Sequence, residues 1–166
     1  MVPLAVASAG CSFNLGATVG PSIDTAGKVG VDKRWEAGLT LGGEDSRASA
    51  ALGGGVGYSG AHEQAYAVVA PAAGFEYGHK VKLGIEAVYA PRFLLGRSDV
   101  VHAGGGDIQL LVPAYYSPSD FAAQAVYLGP RFSAEYMAAG GGEPARGVFT
   151  LSLVFRGAPF DTTVGF

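Results

Sequence analysis

From Val29 to Leu41 the chain alternates closely enough to fix its local structure. Val29, Val31, Trp35, Ala37, Leu39 and Leu41 fall at every second position, with Gly30, Asp32, Arg34, Glu36, Gly38 and Thr40 between them. Lys33 is the only break on the apolar side. A period of two marks a strand with one apolar and one polar face. Its length constrains the fold further. Strands of soluble domains usually run about five or six residues, whereas a strand tilted across a bilayer needs about 9 to 11.

Seven further segments repeat the pattern between turn residues: Ser12 to Gly20, Arg47 to Tyr58, Gln64 to Tyr77, Lys80 to Ala90, Asp107 to Tyr116, Ala122 to Met137 and Val148 to Arg156. Gln64 to Tyr77 is Ala-rich on both sides and is the least decisive of them. No helical period separates these segments, so an antiparallel meander of eight strands is expected. The connections fall into two sets. Gly42 to Ser46, Gly78-His79 and Ser117 to Asp120 are tight, whereas Pro21 to Lys28, Ser59 to Glu63, Pro91 to Gly106 and Ala138 to Gly147 read as loops. In Gly78-His79 the glycine would supply the positive φ of a hairpin turn. An even strand count places both termini at the short-turn end.

Composition narrows the solvent. Only 15% of the 166 residues are charged, against roughly 25% in ordinary soluble proteins, and 27 are glycine. The length suits one domain. Eight Tyr, nine Phe and a hydrophobic fraction of 49% exclude a disordered polar chain. No apolar run of about 18 residues exists, since the best candidate, Ala65 to Phe75, contains Pro71 and Gly74. Spanning helices are thereby excluded, and either a soluble β domain or a closed transmembrane barrel is left. A net charge of -3 without a basic stripe argues against a nucleic-acid partner.

The polar faces carry interleaved charges: Asp32, Arg34, Glu36, Arg47, Lys82, Glu86, Arg131, Glu135 and Arg156. Inside an eight-stranded barrel, which is just wide enough for side chains to fill, such charges persist only when paired. This orientation puts Trp35, Leu39, Leu83, Leu128 and Leu151 on the outside. Glycines on the charged face would make room for long side chains or let the sheet curve. The reverse orientation, with an apolar interior and charged exterior, would describe a soluble barrel binding a small apolar ligand. A lipocalin-like Gly-x-Trp signature is absent, because Trp35 follows Lys33-Arg34.

With these strands in view, the segment from Ser12 to Arg156 resembles the small eight-stranded outer-membrane β-barrels, the OmpA-like, OmpX-like and OmpW-like class. Tyr-Leu-Gly-Pro-Arg-Phe-Ser at 127–133 and Gly-Val-Phe-Thr-Leu-Ser-Leu-Val-Phe at 147–155 look like the penultimate and final strands. The class ends on an aromatic residue, here Phe166, but Pro159 and Asp161 leave the end of the closing strand open between Phe155 and Phe166. The resemblance implies an all-β, up-and-down transmembrane barrel in a bacterial outer membrane, contacting lipid. It implies a structural or surface-interaction role rather than catalysis, with a filled lumen and no cofactor. Residues 1–10 are read as the remnant of a secretory signal ending Ala7-Ser8-Ala9, 11–157 as the barrel, and 158–166 as a tail or the end of the closing strand. Lipidation of Cys11 and the oligomeric state stay open.

Recognition is expected in the longest loop, through Phe93, Leu94, Leu95, Arg97, Asp99 and His102, with any surface partner binding there. Replacing Pro91 to Gly106 by a short turn should then leave folding intact. The three histidines, His62, His79 and His102, show no metal-ligand spacing. Ser98, Asp99 and His102 keep open a lipid-modifying outer-membrane enzyme as a second alternative.

Overall fold

The structure, a computed structural model, describes residues 9–43, 48–78, 81–117, 123–140 and 142–161. Arg47, His79 and Phe166 lie outside the described residues. The strands are β1 (Ala9–Asp24), β2 (Val29–Gly43), β3 (Ala48–Ser59), β4 (Gln64–Tyr77), β5 (Lys82–Tyr89, resuming as Arg92–Leu94), β6 (Val100–Val101, resuming as Ala103–Ser117), β7 (Ala123–Met137) and β8 (Arg146–Asp161). Each pairs antiparallel with its sequence neighbours, and β1 pairs with β8. This is the closed eight-stranded up-and-down barrel that the alternation predicts.

The largest departure concerns Pro91 to Gly106, expected as a loop. Arg92–Leu94 continues β5 in unbroken register: Val68 faces Arg92 just as Ala72 faces Val88. Across the other edge, Arg92 faces Val101 and Tyr89 faces Gly104. Pro91 has no N–H to donate, which interrupts the ladder without ending the strand. Ala90 still donates to the Ala103 carbonyl, at 2.8 Å. The connection is therefore only 95–99. The expected Pro21 to Lys28 loop likewise shrinks to 25–28, because β1 runs to Asp24. Of the four connections at this end only 138–145 spans more residues than those between the strands at the other end, and the expected contrast in loop length is mostly absent. At the far end of the chain the closing strand passes Phe155 and Ala158 and continues, after a register shift, to Asp161, the last of the described residues.

Polarity follows the alternation. Trp35 is 68% exposed, and Leu128, the least exposed of the five expected outer residues, is 38% exposed. Inside, Tyr127 is fully buried and Lys82 is 2% exposed. The soluble alternative needs the opposite arrangement. Lumen packing uses glycine as a gap: a Cβ on Gly57 would lie 2.5 Å from the Tyr66 ring. Gly78 has φ 94°, a conformation that glycine adopts without steric cost, and the rest of the expected Gly78-His79 turn lies outside the described residues.

Two apolar clusters fill the ends of the lumen. Tyr66, Val68, Leu94, Val101, Met137 and Val148 pack toward the end bearing 25–28, 60–63, 95–99 and 138–145, called the mouth below. Leu111, Ala125, Tyr127, Val154 and Ala158 pack toward the opposite end. The charged residues lie between and around these clusters.

Candidate functional site

Arg131 on β7 organises the middle of the lumen. Its Nη2 lies 3.2 Å from Glu36 Oε1 and donates to Gln109 Oε1 at 3.3 Å, while its Nε is 3.9 Å from Asp107 Oδ2. Arg34 Nε approaches the second Glu36 oxygen at 3.2 Å. Nearer the turn end, Glu76 takes Lys82 at 3.0 Å and Arg156 at 3.2 Å, and Arg156 Nε donates to Asn14 Oδ1 at 2.8 Å. Lys82 also lies 5.2 Å from the centre of the Tyr127 ring. Nearer the mouth, Arg92 pairs with Glu135 and stacks over Tyr66 at 4.6 Å.

Of the expected network, Arg34, Glu36, Lys82, Arg131, Glu135 and Arg156 are joined in ion pairs. Glu86 lines the cavity beside them, and Asp32 instead accepts the Gly60 N–H at 3.1 Å, tying β2 to the 60–63 turn. Sequence reading missed Glu76, Arg92 and Asp107. Glu76 falls in the segment whose Ala-rich faces leave the alternation least decisive, Asp107 falls in one whose apolar side carries the pattern, and Arg92 falls in a stretch that reads as a loop. Against the Gly- and Ala-rich wall of β2, β3 and β4 the network leaves a cavity of about 100 Å³, bordered by Gly38, Gly53, Ala72, Glu86, Asp107 and Arg131.

The expected recognition loop is dispersed. Phe93 faces outward, whereas Leu94 belongs to the buried cluster at the mouth. Leu95 is exposed on the turn, and the Asp99 carbonyl accepts the Leu94 N–H at 3.1 Å. His102 Nδ1 lies 2.6 Å from Tyr89 Oη, and the two rings stack. Arg97 and Leu94 line one pocket. That pocket, of about 50 Å³, has a floor of Leu94, Val101 and Met137 and walls that include His62, Arg97 and Arg146.

His62 falls in Ser59 to Glu63, which the sequence reads as a loop. It is wedged with its Nε2 3.2 Å from Asp24 Oδ2. Asp24 is held in place by the N–H groups of Ala26 and Lys28, which donate to its other oxygen at 2.9 and 2.8 Å. Burial, helped by the positive charges of Arg146 and Lys28, pushes the His62 imidazole below its ordinary pKa.

No protein-family model matches the sequence, and no curated protein matches it. Among solved structures, the chain is similar to Neisserial surface protein A (NspA), with 15% identity, a TM-score of 0.56, and coverage of 90% of this chain and 97% of that one. This is the fold of the small outer-membrane β-barrels. The structure of outer membrane protein AlkL in DMPC lipid bilayers also matches, with 9% identity, a TM-score of 0.42, and coverage of 92% and 87%. With NspA the chain shares its strand plan, and the lumen and mouth residues stand on their own geometry.

Proposed function

We propose that this chain is a small barrel of the bacterial outer membrane with a structural or surface-interaction role, closed to bulk diffusion and non-catalytic, whose recognition sits at the mouth. The observation that carries the reading is its inverted polarity. The wall presents Trp35, Leu39, Ile85, Leu110, Phe132 and Leu151 outward, while the ion pairs lie inside. An apolar exterior of this extent needs a lipid-like solvent.

Outward aromatic residues add support. Tyr58, Tyr89, Tyr136 and Phe149 lie toward the mouth, and Phe13, Phe75, Tyr77, Tyr115 and Phe155 toward the turn end. Such girdles mark the two interfaces of a barrel in a bilayer. β1 starts and the described part of β8 finishes at the turn end, and the mouth is assigned to the outer side. For the non-catalytic reading, Tyr89 engages the ring of His102, the base that a Ser98 hydrolase would need.

Reconstitution tests the proposal. The chain should fold in detergent or lipid to a form that migrates differently before and after boiling, and in a planar bilayer it should give no large, steady conductance. A chain that stays folded and monodisperse without amphiphile, or a stable porin-sized channel, would contradict it.

A further inference from the structure

The pocket at the mouth combines features that ordinary packing leaves unexplained. Its floor is apolar, and its walls include His62, Arg92, Arg97 and Arg146, with Glu143 the only carboxylate among the described residues that line it. Arg92 is committed to Glu135, and Arg146 Nη1 to Glu143 Oε2 at 3.2 Å. Yet Arg146 Nε and His62 Nδ1 are buried with no hydrogen-bond partner, while His62 Nε2 faces Asp24 Oδ2 at 3.2 Å. The side chains concerned are each only 9% exposed. Buried polar groups are almost always satisfied, and an unpaired Arg146 donor beside an unpaired ring nitrogen of His62 at one opening points to a polar ligand.

We propose that this pocket binds a small carboxylate with a short aliphatic tail. The tail would lie against Leu94, Val101 and Met137, and the carboxylate would accept hydrogen bonds from Arg146 Nε and His62. This deepens the surface-interaction reading above and rests on the mouth being a recognition end. A guanidinium and an imidazole suit the planar carboxylate, and the apolar floor separates this ligand from a bare inorganic anion.

Proton balance follows from the groups around His62. With its Nε2 turned to Asp24, a neutral ring presents an acceptor at Nδ1. Binding a carboxylate therefore draws a proton from solution to Nδ1 and leaves an imidazolium between Asp24 and the ligand. Asp24 and Glu143 favour that cation, and Arg146 and Lys28 oppose it. Arg92 and Arg97 also border the pocket. Affinity should thus rise as the pH falls through the histidine range.

The test is titration calorimetry of the folded barrel in micelles with hexanoate, in two buffers of different ionisation enthalpy. Hexanol, hexylamine and inorganic phosphate are the controls. Saturable hexanoate binding with proton uptake is expected, weakened at least about tenfold in Arg146→Gln and in His62→Phe, as loss of a charge-assisted hydrogen bond implies. The His62→Phe variant should lose the proton uptake as well, and it keeps the test alive if Arg146→Gln fails to fold. Equal binding of hexanol or hexylamine, phosphate binding without hexanoate binding, or hexanoate binding indifferent to both substitutions would overturn the assignment. A normally heat-modifiable barrel that ignores hexanoate would overturn the pocket alone. A chain that needs no amphiphile to stay folded would overturn the barrel reading, and the pocket assignment with it.

Discussion

The middle of the lumen and the mouth both hold arginines beside carboxylates, yet they are built differently. In the middle, Arg131 reaches Glu36, Asp107 and Gln109 from one position, and Glu36 in turn reaches Arg34. The partners come from β2, β6 and β7, so the network ties distant strands of the wall together. At the mouth, Arg146 finds its carboxylate three residues away on its own turn, and its Nε and His62 Nδ1 keep unused hydrogen-bonding capacity. The guanidinium nitrogens of the middle that make no hydrogen bond, Arg34 Nε and Arg131 Nε, still face a carboxylate oxygen at 3.2 and 3.9 Å. Among the described residues Arg146 Nε and His62 Nδ1 have no such partner, and that is the difference the mouth offers to a ligand.

The hardest way to break this contrast is to treat the two regions as one loop. Replacing all of 91–106 with a Gly-Ser turn should abolish the heat-modifiable barrel, because it deletes the Arg92 ion pair and the buried Leu94, Val101 and Ala103. Replacing only 95–99 should leave folding nearly unchanged, since loop closure varies slowly with length. A folded barrel from the larger deletion would show that the β5–β6 hairpin is dispensable.

The sequence disclosed the strands and hid that hairpin for one reason. Alternation is visible wherever apolar residues face lipid, as with Trp35, Leu39 and Leu151. It is invisible where Pro91 interrupts and where Gly104, Gly105 and Gly106 occupy both faces of β6. Glycine clusters usually signal loop tips, and here they sit in a ladder opposite Tyr89, Val88 and Ala87. The lumen charges were legible as a set, but their pairing was not, because Arg131 and Glu36 meet only through barrel closure. The His62 pocket left no signal in the sequence, as its walls come from four separate stretches of chain.

A sharper test of the middle region removes one partner. Arg131→Met should cost about 3–5 kcal/mol in urea unfolding from lipid, the usual penalty for stranding a buried charge, here Glu36. The double variant Arg131→Met with Glu36→Gln should recover part of that loss. A single substitution costing less than about 1 kcal/mol, the range of an exposed ion pair, would mean that the lumen is wet enough to screen its charges.

The smallest effect belongs to the mouth. His62 is held neutral by burial, with its pKa below the ordinary 6.5. The unfolded chain therefore takes up a proton first, and His62 makes stability fall as the pH drops from about 6.5 toward the lowered folded value. His62→Phe should flatten that part of the pH dependence, measured by urea unfolding, and leave the neutral-pH barrel in place. An unchanged slope would show that His62 titrates alike in both states.

The central claim, that the apolar face of the strands is the outer one and meets lipid, has a probe already in place, because Trp35 is the single tryptophan. Its fluorescence should be measured with the protein in bilayers containing lipids brominated along the acyl chains, and again with aqueous iodide. Emission at short wavelength, quenched strongly by the brominated chains and little by iodide, is the predicted result. Long-wavelength emission quenched by iodide and indifferent to the brominated chains would put Trp35 in water and contradict the account.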